Sequence, residues 1–452
     1  MKTLLQAGLD GQAPAPPVPR REAMNREGGG LSAAQPPPML GEQCPVFAQM
    51  IREAQQAGYY PFFHPVRWGE GAEVEVEGRR LIMVGSNDYL GLARDSRVIE
   101  AAVAAARAYG TSHGGSRFLC GNTALHEELE ERLADWVGKK KALVHATGYQ
   151  TNLGILGALS AGTDWILSDH ENHASLLEGA RNSGVRQAWY RTRDAAAAAR
   201  KVAAIRRRHA GARIVVATDS LFSMSGEVAP LAELAALKAA DPRMMLFVDE
   251  AHGLGVLGPG GRGAVAEAGV TAATDIVMGT FSKALASIGG FVASDDEDLV
   301  LYLKHHSQSL IFSAALPAMN AAAVLAALDV LQAEPERLDR LRTVVRRARA
   351  AYRQMGLPIP AAETPILPIP AGDEVRACQL ARALFERGVF AMPALFPAVP
   401  RGHALVRTAY MSAHTDRQLD QVFDALADVF RATGPSDGPS LSSRDVSHVG
   451  GG

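Results

Sequence analysis

Cysteine is scarce in this chain of 452 residues: Cys44, Cys120 and Cys378 are odd in number, far apart and without a CxxC pair. That usage excludes a disulfide framework and a cysteine-built zinc site; no metal centre is expected, and a reducing cytoplasm is the fitting compartment. Net charge is scarce too. Lys and Arg total 46 against 48 Asp and Glu, a formal −2 at pH 7, so no global field recruits nucleic acid or an anionic membrane. The short basic runs 139–141 and 206–208 read as solvated helix ends or faces. No stretch reaches the roughly 18 consecutive apolar residues of a membrane span, and the apolar patch of MKTLLQAGLDGQAPAPP is broken by Gly and Asp, too short for an export signal. No internal repeat is found. What is plentiful is apolar content, 47%, enough at this length for a large core and two or three domains.

The two ends, 1–44 and 433–452, are rich in Pro, Gly, Ala and Ser without periodicity and read as flexible tails. Between them, Val46, Met50, Ile51 and Ala54 at helical spacing predict an amphipathic helix over 45–58. Alternation in EVEVEGRRLIMVG predicts a hairpin over 73–85, leading into SNDYLGL at 86–92. An alanine-rich helix over 96–109 ends at Gly110, and a loop of glycines and hydroxyls precedes a helix over 124–137. From there short apolar runs alternate with helical stretches: 142–149, 164–169, 213–220, 243–250, 274–280 and 289–294. That alternation predicts an α/β fold with a mostly parallel, mixed sheet covered on both faces, which binds ligands at the carboxyl ends of its strands. The expected organisation is an N-terminal segment 45–105, a large domain 106–330 and a smaller α+β C-terminal domain 331–432. A long helical region over about 319–355 leads into the latter.

Two motifs carry the chemistry, FVDEAHGLGVLGPGGRG (247–263) and MGTFSKALASIGGFV (278–292). GLGVLG matches GxGxxG, but a dinucleotide site needs a helix to open at the last glycine, and GPGGRG follows instead. DEAH also occurs in nucleic-acid helicases, yet no segment supplies the GxxxxGK[ST] phosphate loop such an ATPase requires. What remains is a carboxylate, Asp249, at a strand end with His252 beside it. A lysine, Lys283, stands in an otherwise uncharged segment bordered by glycines. Alone, each residue is more often structural. Together they are the parts a pyridoxal phosphate enzyme needs: a lysine for a Schiff base, a carboxylate for the pyridine nitrogen, and hydroxyl or backbone donors for the phosphate.

The motifs SNDYLGL, GSRFLCGNTALHEELEERLADWVG, ATGYQTN, SDHENHASLLEGAR, FSMSGEVAPL, VDEAHGLGVLGPGGRG, GTFSKALASIGGFV and RTAYMSAHT run in order over about four-fifths of the chain. This pattern resembles the α-oxoamine synthase family of pyridoxal phosphate enzymes. The resemblance implies the fold-type I transferase fold and the following roles. Lys283 forms the Schiff base and moves protons, Asp249 partners the pyridinium nitrogen, and His173 stacks on the ring. His252 and Ser223 bond its phenolic oxygen. Gly148 and Tyr149, by backbone donors, and the Thr280 hydroxyl bind the phosphate, joined by Ser313 from a neighbouring subunit of a homodimer with shared active sites. Asn87 and Arg407 hold the amino acid substrate, Arg407 by its carboxylate.

The family implies condensation of an amino acid with an acyl thioester, on CoA or an acyl carrier protein, with loss of carbon dioxide and thiol to give an α-aminoketone. GSRFLCGNT and LKHHSQSLIFSAALP look most like the serine palmitoyltransferases, which implies sphingolipid or other lipid synthesis. Glycine C-acetyltransferase and 8-amino-7-oxononanoate synthase are the alternatives. Bacterial members of these groups carry an arginine before the proline motif where this chain has Leu395 and Phe396, which implies different carboxylate handling or a more apolar acyl entrance. The RNISG pattern of aminolevulinate synthase is absent from that loop. Outside the family, an aminotransferase shares the lysine and aspartate, and a non-catalytic scaffold subunit would lack the lysine.

Overall fold

The computed structural model describes residues 43–58 and 60–433. Both predicted tails lie almost wholly outside them. The chain divides into two units between Phe63 and His64. In the first, helix α1 (Gln43–Gln56) forms where the apolar spacing predicts it.

In the second unit, β1 (Arg67–Trp68), β2 (Glu73–Val76) and β3 (Arg79–Met83) build the expected hairpin region. Val74 and Val76 point inward while Glu73 and Glu75 stay in solvent, the period-two pattern of a half-buried strand. Helix α2 (Ser96–Tyr109) is capped by the Asp95 carboxylate, which accepts from the Arg97 N–H at 3.1 Å, and stops at Gly110 with φ 78°. Helix α3 (Ala124–Val137) follows. Next come β4 (Lys141–His145), α4 (Gly148–Leu159), β5 (Trp165–Asp169), α5 (Ala174–Asn182) and β6 (Arg186–Tyr190). The run continues with β7 (Ile214–Asp219), β8 (Met244–Asp249), β9 (Ile276–Thr280) and β10 (Gly290–Ser294). These strands form one seven-stranded sheet in the order β4-β10-β9-β8-β7-β5-β6, parallel except that β10 runs antiparallel to both neighbours. β7 to β9 are almost wholly buried, as strands covered on both faces must be.

Two local differences from the sequence reading have plain causes. The run 142–149 is not one strand, because Thr147 caps a helix that opens at Gly148. The helical region 319–355 is two helices, α6 (Ala318–Ala333) and α7 (Glu336–Gln354), parted by Pro335, which supplies no N–H to continue α6. Beyond α7, β11 (Ile366–Gly372), β12 (Val389–Phe390), β13 (Met392–Ala394) and β14 (Ala404–Ala409) contribute to two further sheets. The short β12 pairs in parallel with β3, which ties the early hairpin to the late part of the chain.

The glycine-rich loop after β8 wraps a carboxylate of the chain itself. Glu250 is fully buried; its Oε2 accepts from Ser220 Oγ at 2.7 Å and its Oε1 from the Val265 N–H at 2.6 Å. A Cβ on Gly253 would lie 1.9 Å from Oε2, and one on Gly263 would lie 2.6 Å from the carboxyl carbon. These glycines therefore clear space for Glu250, and no long helix opens at the last of them: a 3-10 turn at Pro259–Gly261 and the four-residue helix Ala264–Glu267 follow. Burial pushes the Glu250 carboxyl up to about 7. A folded-state value above the unfolded one means stability fully present below the ordinary carboxyl range and lost as pH rises through about 7. The Glu250→Gln protein should show a flatter pH dependence of its unfolding midpoint between about pH 5 and pH 8, by up to about 3 kcal/mol, measured by denaturant titration at each pH.

Candidate functional site

Five loops meet at the carboxyl ends of β4, β5, β7, β8 and β9. Each brings a candidate residue to the strand end or a few positions past it: the backbone of Gly148, and the side chains of His173, Asp219, Asp249 with His252, and Thr280 with Lys283. They surround a cavity of about 280 Å³, near the lower end of the ~300–1,000 Å³ usual for small-molecule sites. A larger hollow lies at the opposite ends of β7 and β8, but its cations are already engaged. Lys238 pairs with Asp275 at 3.0 Å, Arg213 with Asp164 at 3.3 Å, and Arg243 bonds the Ala210 carbonyl at 3.0 Å.

Asp249 ends β8 and is buried. Its Oδ2 accepts from Asn152 Nδ2 at 2.7 Å and its Oδ1 from the Ala251 N–H at 2.9 Å. The Lys283 amine shares the cavity, and burial pushes it down to about 8 against the opposing pull of Asp249. A lysine so lowered holds an appreciable neutral fraction near physiological pH, as imine formation requires.

The two histidines are also driven toward neutrality by burial. His173 caps α5, with Nδ1 2.7 Å from Ser175 Oγ, and the Tyr149 ring meets it edge-on at 6.0 Å between centroids. His252 Nδ1 lies 2.7 Å from the hydroxyl of Tyr89, a fully buried phenol that burial keeps protonated. The Tyr89 hydroxyl also donates to Asn87 Oδ1 at 3.3 Å.

Helix α4 presents its first N–H groups, at Gly148 and Tyr149, at the edge of the cavity, where orphan donors and the helix dipole favour an anion. The approach is tight. A Cβ on Gly148 would sit 2.7 Å from Thr280 Oγ1, and one on Gly290 would sit 2.6 Å from the Gly148 Cα. The glycine pair after Lys283 therefore admits the start of α4 as its close neighbour. Thr280 spends its hydrogen on the Gly289 carbonyl at 2.9 Å, with Ser282 Oγ also 2.9 Å from its oxygen.

Arg407, buried on β14, donates from Nη2 to Asn87 Oδ1 at 2.8 Å and from Nε to the Ser223 carbonyl at 2.6 Å. Its Nη2 is also 3.5 Å from the Tyr89 hydroxyl, which joins this group to His252. Of the sequence candidates, Gly148, Tyr149, His173, Asp249, His252, Thr280 and Lys283 line the cavity. Asn87 and Arg407 form a connected group beside it. Ser223 contributes its carbonyl to Arg407, and Ser313 accepts from Gln150 Nε2 at 3.2 Å; neither lines the cavity of this chain. Sequence reasoning missed Asn152, Asp219, Tyr89 and Ser282. Two had visible signals: Asn152 is a polar residue inside the apolar helix NLGILGAL, and Asp219 ends the run IVVATD as Asp249 ends MMLFVD.

The site fits pyridoxal phosphate by its donor set. A helix N-terminus whose glycine cannot bear a side chain suits the phosphate, an anion-stabilised carboxylate suits a protonated ring nitrogen, and a lowered lysine suits an aldehyde. The family model for class I and II aminotransferases matches residues 79–426. A serine palmitoyltransferase of Bacteriovorax stolpii is 41% identical over 369 residues, 82% of this chain and 87% of that protein. An 8-amino-7-oxononanoate synthase of Symbiobacterium thermophilum is 37% identical over 380 residues, 84% of this chain and 96% of that protein. The solved serine palmitoyltransferase of Sphingomonas wittichii superposes with a TM-score of 0.82 at 31% identity, covering 88% of this chain and 99% of that one.

Proposed function

The chain belongs to the class I and II aminotransferase family and, within it, to the α-oxoamine synthases, pyridoxal phosphate enzymes, and on that premise we propose that it joins an amino acid to an acyl thioester with loss of carbon dioxide. Serine or alanine with a long or medium acyl chain comes first, glycine with a short acyl group second. One observation carries the reading: the Lys283 amine, the Asp249 carboxylate and the N-terminus of α4 converge in a single cavity.

When bound, pyridoxal phosphate supplies an aldehyde carbon for the amine and a ring that withdraws electrons from the amino acid Cα. The chain's own groups do the rest. Asp249, with a donor on each oxygen, would hold the ring nitrogen, His173 would stack on the ring and His252 would bond its phenolic oxygen. Lys283 would remove the Cα proton and return one at the end, since its amine would be set free beside that atom. Arg407, steadied by Asn87, grips the carboxylate of the amino acid until that carbon leaves as carbon dioxide.

Phe396 stands half exposed with the Arg401 guanidinium 4.4 Å over its ring, and with Leu395 it supports an apolar acyl entrance. The exposed side chains Phe118, Leu119 and Phe312, the last adjoining Ser313, support a homodimer in which Ser313 reaches the partner's phosphate. Free cysteines support a cytoplasmic location.

The test is to reconstitute the protein with pyridoxal phosphate and offer single amino acids with acyl-CoA and acyl carrier protein thioesters of graded length, following thiol and carbon dioxide. Release of both in equal amounts, only when amino acid and thioester are present together, is expected. Keto acid formation without thiol would replace this reading with transamination, and no visible absorbance on adding the cofactor would remove it.

A further inference from the structure

Asp219 is the one cavity carboxylate that the mechanism above leaves without work. It ends β7 as Asp249 ends β8, and the two are direct register partners on neighbouring parallel strands, so their side chains emerge on the same face. Both line the cavity and both are buried. Their surroundings differ sharply. Asp249 has a donor on each oxygen. Asp219 has one donor in all: Oδ2 accepts from the His173 backbone N–H at 3.0 Å, while Oδ1 is buried without any hydrogen-bond partner.

Two carboxylates placed side by side away from water do not both ionise; the better-solvated one takes the charge and the other keeps the proton. An anion with an orphaned oxygen is costly to bury, whereas a neutral acid carries on that oxygen either a hydrogen to donate or a weakly polar carbonyl. The groups facing Asp219 are Asp249 from β8, Asp169 from β5, Lys283 beyond β9 and His173 at the start of α5. Asp249 and Asp169 oppose its charge and Lys283 favours it, but burial outweighs them and raises the Asp219 carboxyl well above the ordinary range.

We infer that Asp219 is a positioning residue that works as a neutral carboxylic acid, anchoring the peptide N–H of His173 while leaving the charge of the strand-end pair to Asp249. The division follows from the donor count, and it serves the ring. A second full charge beside Asp249 would compete for the proton that the pyridine nitrogen must keep. A missing Asp219 would release the first turn of α5 and the His173 ring with it. Asn172 shows how closely that turn is docked on β7: its Oδ1 accepts from the Asp219 N–H and its Nδ2 donates to the Ala217 carbonyl, both at 2.8 Å.

The inference rests on the pyridoxal phosphate reading only for its kinetic consequence. An infrared difference spectrum of the full-length reconstituted protein at neutral pH, wild type minus Asp219→Asn, should show the carbonyl stretch of a protonated carboxylic acid that the variant lacks. Asn keeps an acceptor for the His173 N–H and carries no charge, so Asp219→Asn should hold kcat and KM for the amino acid within about threefold, with an unshifted pH profile. Asp219→Ala should lose about 10- to 100-fold in kcat, the usual effect of one buried hydrogen bond. A carboxylate band in place of the acid band, or an Asn variant as slow as the Ala variant, would overturn the inference. If Asp219→Ala does not fold, the infrared comparison and the Asn variant decide alone. If no cofactor absorbance forms at all, the family chemistry has failed, yet the infrared result still reports the state of Asp219.

Discussion

The Lys283→Ala protein should lose at least about 10³-fold in turnover, with its circular dichroism unchanged. The size follows from the two duties proposed for one atom: Nζ would receive the aldehyde carbon and later carry the Cα proton, and Lys283 is the one lysine among the cavity-lining residues. The fold is expected to tolerate the change, because the salt bridges and side-chain hydrogen bonds found among the described residues do not involve this side chain, and truncation removes a buried cation rather than a tie. The same residue predicts a pH dependence. Its amine is lowered to about 8 chiefly by burial, so capture of pyridoxal phosphate by the cofactor-free protein should quicken as pH rises toward about 8 and level off above it. Stopped-flow absorbance would measure this. Turnover of the alanine variant near that of the wild type would show that the Schiff-base amine lies elsewhere.

Asp249→Asn should come next, at about 10²- to 10³-fold in kcat, the scale of removing one preorganised electrostatic group from a buried site. The substitution keeps the volume and the acceptor oxygen, but it removes the carboxylate proposed to hold the ring nitrogen protonated. It also places an amide against Asn152, whose Nδ2 is already committed to Ser175 Oγ at 2.8 Å as well as to Asp249. Cofactor affinity should fall less than kcat, since the phosphate seat at α4 is untouched. Equal falls in both, measured by absorbance titration and steady-state kinetics, would mean that Asp249 serves binding rather than chemistry. A Lys283→Ala effect smaller than that of Asp249→Asn would contradict the ranking.

Much of the arrangement was legible because strand-end chemistry leaves a linear trace. Apolar runs such as MMLFVD and IVMGT end in a polar residue, and the loop that follows holds the working side chain a few positions on, as His252 and Lys283 do. Helix α2 could be read from its alanines and its end at Gly110. What escaped was set by distant partners. β6, RQAWY, lies at the edge of the sheet with a mixed burial pattern, so no apolar run marks it. Gly148 looks like the tail of a strand until Gly290, far along the chain, is seen to lie against it. Tyr89 shows no purpose in SNDYLGL until His252 stands 2.7 Å away. The glycines of GLGVLGPGGRG suggest a nucleotide, and only the packing of Glu250 reveals what they make room for.

The antiparallel strand β10 has a consequence for synthesis on the ribosome. It fits between β4 and β9, pairing residue 290 with residue 145, so the edge strand β4 stays parted from the rest of the sheet until the chain has been made past Ser294. The backbone of Gly290 is also what closes on the start of α4. A nascent chain, or a fragment ending before β10, therefore holds Asp249, His252 and Lys283 already translated yet has no finished seat for a phosphate. Cofactor capture must then wait for this late insertion, and long-range pairings of that kind form slowly.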